Sequence, residues 1–355
     1  MLNGKWDMRA RSVRAGPARA RPVIRSAAVI GAALVFAVSL PATPIWAKPP
    51  TTLRFQQSTV SFATPSETAT LLTANDAYRQ QLSPTDRQLL AVSTKQVTPS
   101  AMDLSLRAAA REFTATEKTA IGTALADADT RLTAKGIALN LPANVVIAKH
   151  DGAIFDGSPY TRTNTVFLND RFLASVGSRP QYLASTLAHE LWHIASRAHP
   201  ELRAAVYKLV GFLPCNVPLS SIGNDIRSKI ITNPDTEDFG RFCISLPDGA
   251  AQKRYTNLII ATGPVTGSNF GEILKPVLVE VNLTATAAVV KFGKTSVRDL
   301  DFAYGKAIGG NGLDEPYHPE EIVAKNLETA LAGKASPMSP NLDLANRVAA
   351  QLGKP

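Results

Sequence analysis

The stretch HELWHIASRAH, from His189 to His199, holds three of the chain's five histidines and one glutamate. Residues four apart on a helix lie one turn above each other, with Cβ atoms about 6 Å apart. His189 and His193 therefore share a face and can aim ring nitrogens at one point. Glu190 is turned about 100° from His189, so it cannot easily share that point, but it can reach a water held there. Two imidazoles beside an acid suit a catalytic zinc, which takes three protein ligands and keeps one place for water. The ion brings the pKa of that water to about 7 and polarises a carbonyl. Glu190, as general base, then takes the proton and delivers it to a leaving amine. The pattern predicts a Zn2+-dependent hydrolase acting on peptide bonds, and it asks for a third ligand.

The flanks support a central helix. Leu183, Leu187, Leu191 and Ile194 line its packing side, and Pro200 ends it near His199, because proline disfavours helical geometry in the residue before it. A second helix, PELRAAVYKLVGF, begins at once. Upstream, TVFLND (165–170) reads as a strand, preceded by strand-like pieces in NVVIAKH and GAIFDGSPYTR. The clearest helix runs from a Thr114–Glu117 capping box along Ile121, Leu125, Ala128 and Leu132 to a stop at Gly136.

His199 is one candidate for the third ligand. The spacing from His189 matches the HExxHxxGxxH of metzincins, but Ser196 stands where glycine makes the sharp turn, and a left-handed serine costs roughly 1–2 kcal/mol. On a continued helix His199 lies about 240° past His193, off the metal face. No methionine for a downstream turn occurs between Met102 and Met338. A junction between two helices is the alternative role for His199.

A carboxylate on a later helix is the other candidate. EIVAKNL, Glu321 to Leu327, resembles the second motif of the gluzincins in its Glu, Ala324 and Leu327. It departs at Lys325, where an acid usually supports a histidine ligand. The resemblance implies Glu321 as the third ligand beside His189 and His193, whereas the apolar phase of Val323, Ala324, Leu327 and Leu331 favours Glu320. The two motifs are also similar to those of a group of uncharacterised secreted bacterial proteins. Oxyanion donors are sought among Tyr317, His318 and Tyr304, with Tyr317 first. As in zincins generally, TVFLND is expected to be the sheet edge on which an extended substrate pairs. NPD, Asn233 to Asp235, reads as a turn.

The 355-residue chain carries a net charge of +9, but residues 1–47 hold seven Lys/Arg and one acid, and residues 48–355 are nearly balanced, with 31 basic and 28 acidic residues. No basic stripe interleaved with aromatics points to nucleic acid. Residues 1–47 read as a signal peptide: an Arg-rich start, the apolar AAVIGAALVFAVSL, then PATPIWA. Such a leader implies export to the periplasm or the extracellular space, with no membrane span in the mature form and a peptide or protein as the substrate partner. The only two cysteines, Cys215 and Cys243, suggest a disulfide in an exported protein. The expected organisation is α+β: 48–110 a linker and N-terminal helical region, 111–213 a zincin-like core with the HExxH helix, 214–305 an antiparallel β insertion, and 306–355 C-terminal helices with the third ligand.

Overall fold

The computed structural model describes residues 52–177, 179–236, 240–266, 270–283, 288–289, 297–310, 315–334 and 341–354. The signal peptide expected over residues 1–47 lies outside them. Strands β1 (Thr52–Phe55) and β2 (Ser58–Phe62) form an antiparallel hairpin. The linker expected at this point is replaced by paired strands: Phe55 and Val60 are fully buried, so alternate residues of a Thr- and Ser-rich stretch carry core contacts. The turn places Gln56 in the left-handed region at φ +49°. Its amide donates to Ile137 O (3.1 Å) and its oxygen accepts the Leu139 N–H (2.9 Å).

Four short helices follow: α1 (Pro65–Leu72), α2 (Ala77–Gln80), α3 (Pro84–Leu90) and α4 (Pro99–Ala109), each capped by a Thr, Asp or Ser side chain. Helix α5 (Ala115–Ala134) opens on the Thr114–Glu117 capping box. β3 (Asn144–His150), β4 (Tyr160–Arg162) and β5 (Thr165–Asn169) complete a five-stranded sheet ordered β1-β2-β3-β5-β4. β2, β3 and β5 run parallel, and β1 and β4 join antiparallel at the two edges. Alternation sends Val145, Ile147, Val166 and Leu168 into the main core with α5, and Ala148 and Phe167 into a second core with Leu72, Tyr78, Met102 and Leu106. Both faces are covered, which is why every residue of β5 is buried.

The strand TVFLND is therefore not an edge. It is paired with β3 on one side and β4 on the other. The turn at Thr163–Asn164 folds Tyr160–Arg162 back over it, and β4 takes the outer position.

Helix α6 (Asp170–Val176) leads to α7 (Pro180–Ala198), the HExxH helix, and α8 (Pro200–Leu209) follows it directly. They meet at His199, whose backbone (φ −127°, ψ 75°) is non-helical ahead of Pro200. Leu183, Leu187, Leu191 and Ile194 are buried in the main core.

A second sheet contains β6 (Phe212–Pro214), then, beyond the short α9 (Asn224–Arg227), β7 (Phe242–Asp248) and β8 (Ala251–Ala261). After α10 (Phe270–Ile273) come β9 (Leu274–Leu283), β10 (Ala288–Val289) and β11 (Val297–Asp299). All its pairings are antiparallel, in the order β10-β9-β8-β7-β6, with β11 also on β9. A disulfide joins Cys215, just after β6, to Cys243 in β7. Helices α11 (Phe302–Ala307), α12 (Pro319–Ala332) and α13 (Leu342–Leu352) end the chain, with α12 packed against α7 and α13. The fold is α+β with two sheets, and the described residues form one compact unit. Among the described residues no helix is long and apolar enough to cross a membrane.

Candidate metal centre

Helices α7 and α12 meet face to face, and each contributes acids or imidazoles from adjacent turns. His189 and His193 meet edge to face, with ring centroids 4.7 Å apart and nearly perpendicular planes. Glu321 Oε2 lies 3.2 Å from His189 Nε2 and 3.5 Å from His193 Nε2. The edge of a tetrahedron with ~2.1 Å bonds is about 3.4 Å, so both Glu321 distances are those of ligands sharing a single ion. The buried His189, His193 and Glu321 cluster can hold a metal.

The remaining ring nitrogens are held by acids from α12. Glu320 Oε1 lies 2.9 Å from His193 Nδ1, and Glu328 Oε1 lies 2.6 Å from His189 Nδ1. Such contacts fix ring orientation and turn each Nε2 toward Glu321 Oε2. Glu320 is itself anchored: its Oε2 accepts from Ser196 Oγ at 2.6 Å and from the Tyr207 hydroxyl. Glu321 Oε1 accepts the Asn233 side-chain amide at 2.7 Å. Lys325, the residue that departs from the gluzincin pattern, pairs with Glu328 at 3.3 Å, so the supporting acid sits one turn later than the motif places it.

Glu190 is 4 % exposed, and its Oε2 has no hydrogen-bond partner. His193 Nε2 is equally buried and also lacks one. Glu190, His193 and Asp235 form a second group whose ligand-type atoms lie within 4.8 Å of one another. Asp235 stands at the tip of the Asn233–Asp235 turn. Its Oδ1 accepts the Thr161 N–H (2.6 Å) and the Thr161 hydroxyl (2.7 Å), and its carbonyl accepts from Arg197 at 3.1 Å.

The electrostatics are those of an anionic pocket. Burial drives the Glu190 carboxyl upward, Asp235 adds to the effect, and the group is pushed up to about 8. Burial also raises Asp235, against the pull of His193. Burial opposes charge on His189, but its contacts with Glu321 and Glu328 prevail and raise it to about 10. His193 is likewise raised against burial by Glu321, Asp235 and Glu320. Glu321 is held well below the carboxylate range, burial being outweighed by His193 and His189, and Glu328 is brought down to about 2 by Lys325 and His189 against burial. Five carboxyl groups thus surround two imidazoles. Burying unpaired charge costs several kcal/mol per ion, so the cluster needs protons or a cation. Two buried atoms, His193 Nε2 and Glu190 Oε2, lack hydrogen-bond partners, and the N,N,O donor set of His189, His193 and Glu321 fits a divalent ion.

His199 is not part of this centre. Its Nε2 contacts Asn140 O at 2.6 Å, at the α7–α8 junction. Tyr304 is spent on structure: Asn257 Nδ2 donates to its hydroxyl at 2.7 Å, and that hydroxyl donates to Pro316 O. His318 caps α12, its Nδ1 accepting the Glu320 N–H at 3.1 Å, and burial lowers it to about 4. Tyr317 is half-buried against the cluster of Leu89, Ile231 and Ile259. Three participants escape a reading of the sequence alone. Glu328 carries a signal, since it lies seven residues, or two turns, beyond Glu321. Asn233 and Asp235 carry none beyond a turn motif.

No protein-family model, curated protein or solved structure matches this chain.

Proposed function

We propose that this chain is an exported zinc-dependent peptidase of gluzincin type, with a zincin-like core formed by the first sheet and the α7–α12 pair. His189, His193 and Glu321 are the ligands, and Glu190 is the general base. The observation that carries the reading is the buried Glu190 Oε2, which has no hydrogen-bond partner, on an acid grouped within 4.8 Å of His193. An acid with no structural contact at that atom is free to take a proton. A zinc ion at the centre supplies Lewis acidity and a water of lowered pKa. Glu190 accepts the proton of the attacking water and returns it to the leaving amine. Glu320 and Glu328 keep the imidazoles oriented through their Nδ1 atoms. Tyr317 is the proposed donor to the developing oxyanion, from its place just ahead of the α12 acids.

A second reading is a non-enzymatic envelope or secreted protein with a structural metal. It is favoured by burial: His193 is fully enclosed, as a closed structural site would be. Metal analysis of the full chain, with digestion of a peptide library, separates the two. The peptidase reading expects one zinc per chain, lost from Glu321→Ala and kept by Glu190→Gln, with cleavage reduced at least about 100-fold in Glu190→Gln. Zinc bound but no peptide cleaved, by the wild type or by Asp235→Ala, rejects the peptidase and leaves the structural site.

A further inference from the structure

We propose that the Asn233–Pro234–Asp235 turn is a built-in closure of the metal centre, which holds the chain in a latent form until the turn is displaced; the proposal rests on the hydrolase reading of the same site.

The turn meets both things that a peptide substrate would need. On the metal side, Asp235 lies with Glu190 and His193 in one group of ligand-type atoms, and Asn233 holds the far oxygen of Glu321 at 2.7 Å. On the sheet side, β4 is the outer strand next to α7, and Asp235 Oδ1 takes the outward Thr161 N–H at 2.6 Å. A strand pairing with β4 would have to bond that same N–H. One carboxylate thus stands beside both the base and His193 and also occupies the sheet edge.

The closure is clamped from its own side and from the site side. Ile231 N–H bonds Ile259 O of β8 at 2.8 Å. Asp86 of α3 accepts the Thr232 N–H (2.9 Å) and hydroxyl (2.8 Å), and Ser83 Oγ donates to Ile230 O at 2.7 Å. Arg197, in the last turn of α7, bonds Asp235 O, Thr161 Oγ1 and Thr163 O and ties the tip to β4. Residues 231–236 are all buried, which an ordinary exposed turn would not be. The clamps at Thr161, Arg197 and Glu321 are polar contacts, which a displacing peptide can replace one for one.

Asp235→Asn and Asp235→Ala test this. Asp235→Asn keeps an oxygen for Thr161 and so preserves the fold, while it removes the charge; Asp235→Ala removes both. The readouts are zinc content, the rate of zinc transfer to dipicolinate, and the visible spectrum of the cobalt-substituted protein. The closure predicts unchanged zinc content, zinc release about tenfold faster or more in both variants, and an altered cobalt spectrum. Release within about twofold of wild type with an unchanged spectrum overturns it, as does wild-type peptide cleavage equal to that of Asp235→Ala. Faster release with no peptide cleaved by any form sustains the closure and rejects only the peptidase. A wild-type chain that binds no zinc overturns both.

Discussion

Glu320 and Glu321, neighbours in sequence, address opposite nitrogens of one ring: Glu320 Oε1 is 2.9 Å from His193 Nδ1, and Glu321 Oε2 is 3.5 Å from His193 Nε2. Adjacent helical residues diverge by about 100°, and the imidazole of His193 enters the angle between them. Motif and helical phase each pick out a different acid because both acids are buried and both serve the histidine, one as a candidate ligand and one as its support.

The two should separate by experiment. Glu321→Ala is expected to lose the metal, whereas Glu320→Gln and Glu328→Gln keep one equivalent with affinity weakened about 10–100-fold. Competition titration against a chelator measures this. Equal metal loss in all three would contradict the division of roles.

His199→Ala is expected to keep full metal content. Losing the contact with Asn140 O should cost about 1 kcal/mol, read by urea unfolding. Loss of metal would put His199 back among the ligands.

Reducing Cys215–Cys243, which are 28 residues apart in sequence, should lower stability by roughly 3–4 kcal/mol in the chain-entropy model. The Cys215→Ser, Cys243→Ser double variant should unfold at the same urea concentration as the reduced protein. An unchanged midpoint on reduction would refute the estimate of loop constraint.

His150 sits fully buried at the end of β3, accepting the Gly152 N–H at its Nδ1. Burial lowers it from 6.5 to about 4, with Asp151 and Asp170 resisting and Arg111 assisting. The folded state therefore refuses a proton that the unfolded chain accepts below about 6.5. Stability from this group is complete above that pH, falls as the pH drops, and levels off near 4, a change of roughly 3 kcal/mol. His150→Gln should flatten that part of the stability–pH curve relative to wild type. Parallel curves would show that His150 takes up its proton without resistance from the fold.

Features set by neighbouring residues could be read before any coordinates. The i, i+4 spacing put His189 and His193 on one face, Pro200 ended α7, and the Thr114–Glu117 box started α5. The two cysteines paired as expected. The β1–β2 hairpin was hidden because a four-residue and a five-residue strand give period-2 alternation too little length to show. The order of strands, which made β4 rather than β5 the edge, depends on chain connections that no local pattern encodes. Asn233 and Asp235 reach the centre only because β8 and α3 hold their segment against α7 and β4. The sequence by itself determined that the two imidazoles of α7 share one face, since that depends on backbone geometry within one turn. Tertiary structure alone decided which distant acids meet it and what covers it, since those contacts form only when whole helices and sheets pack.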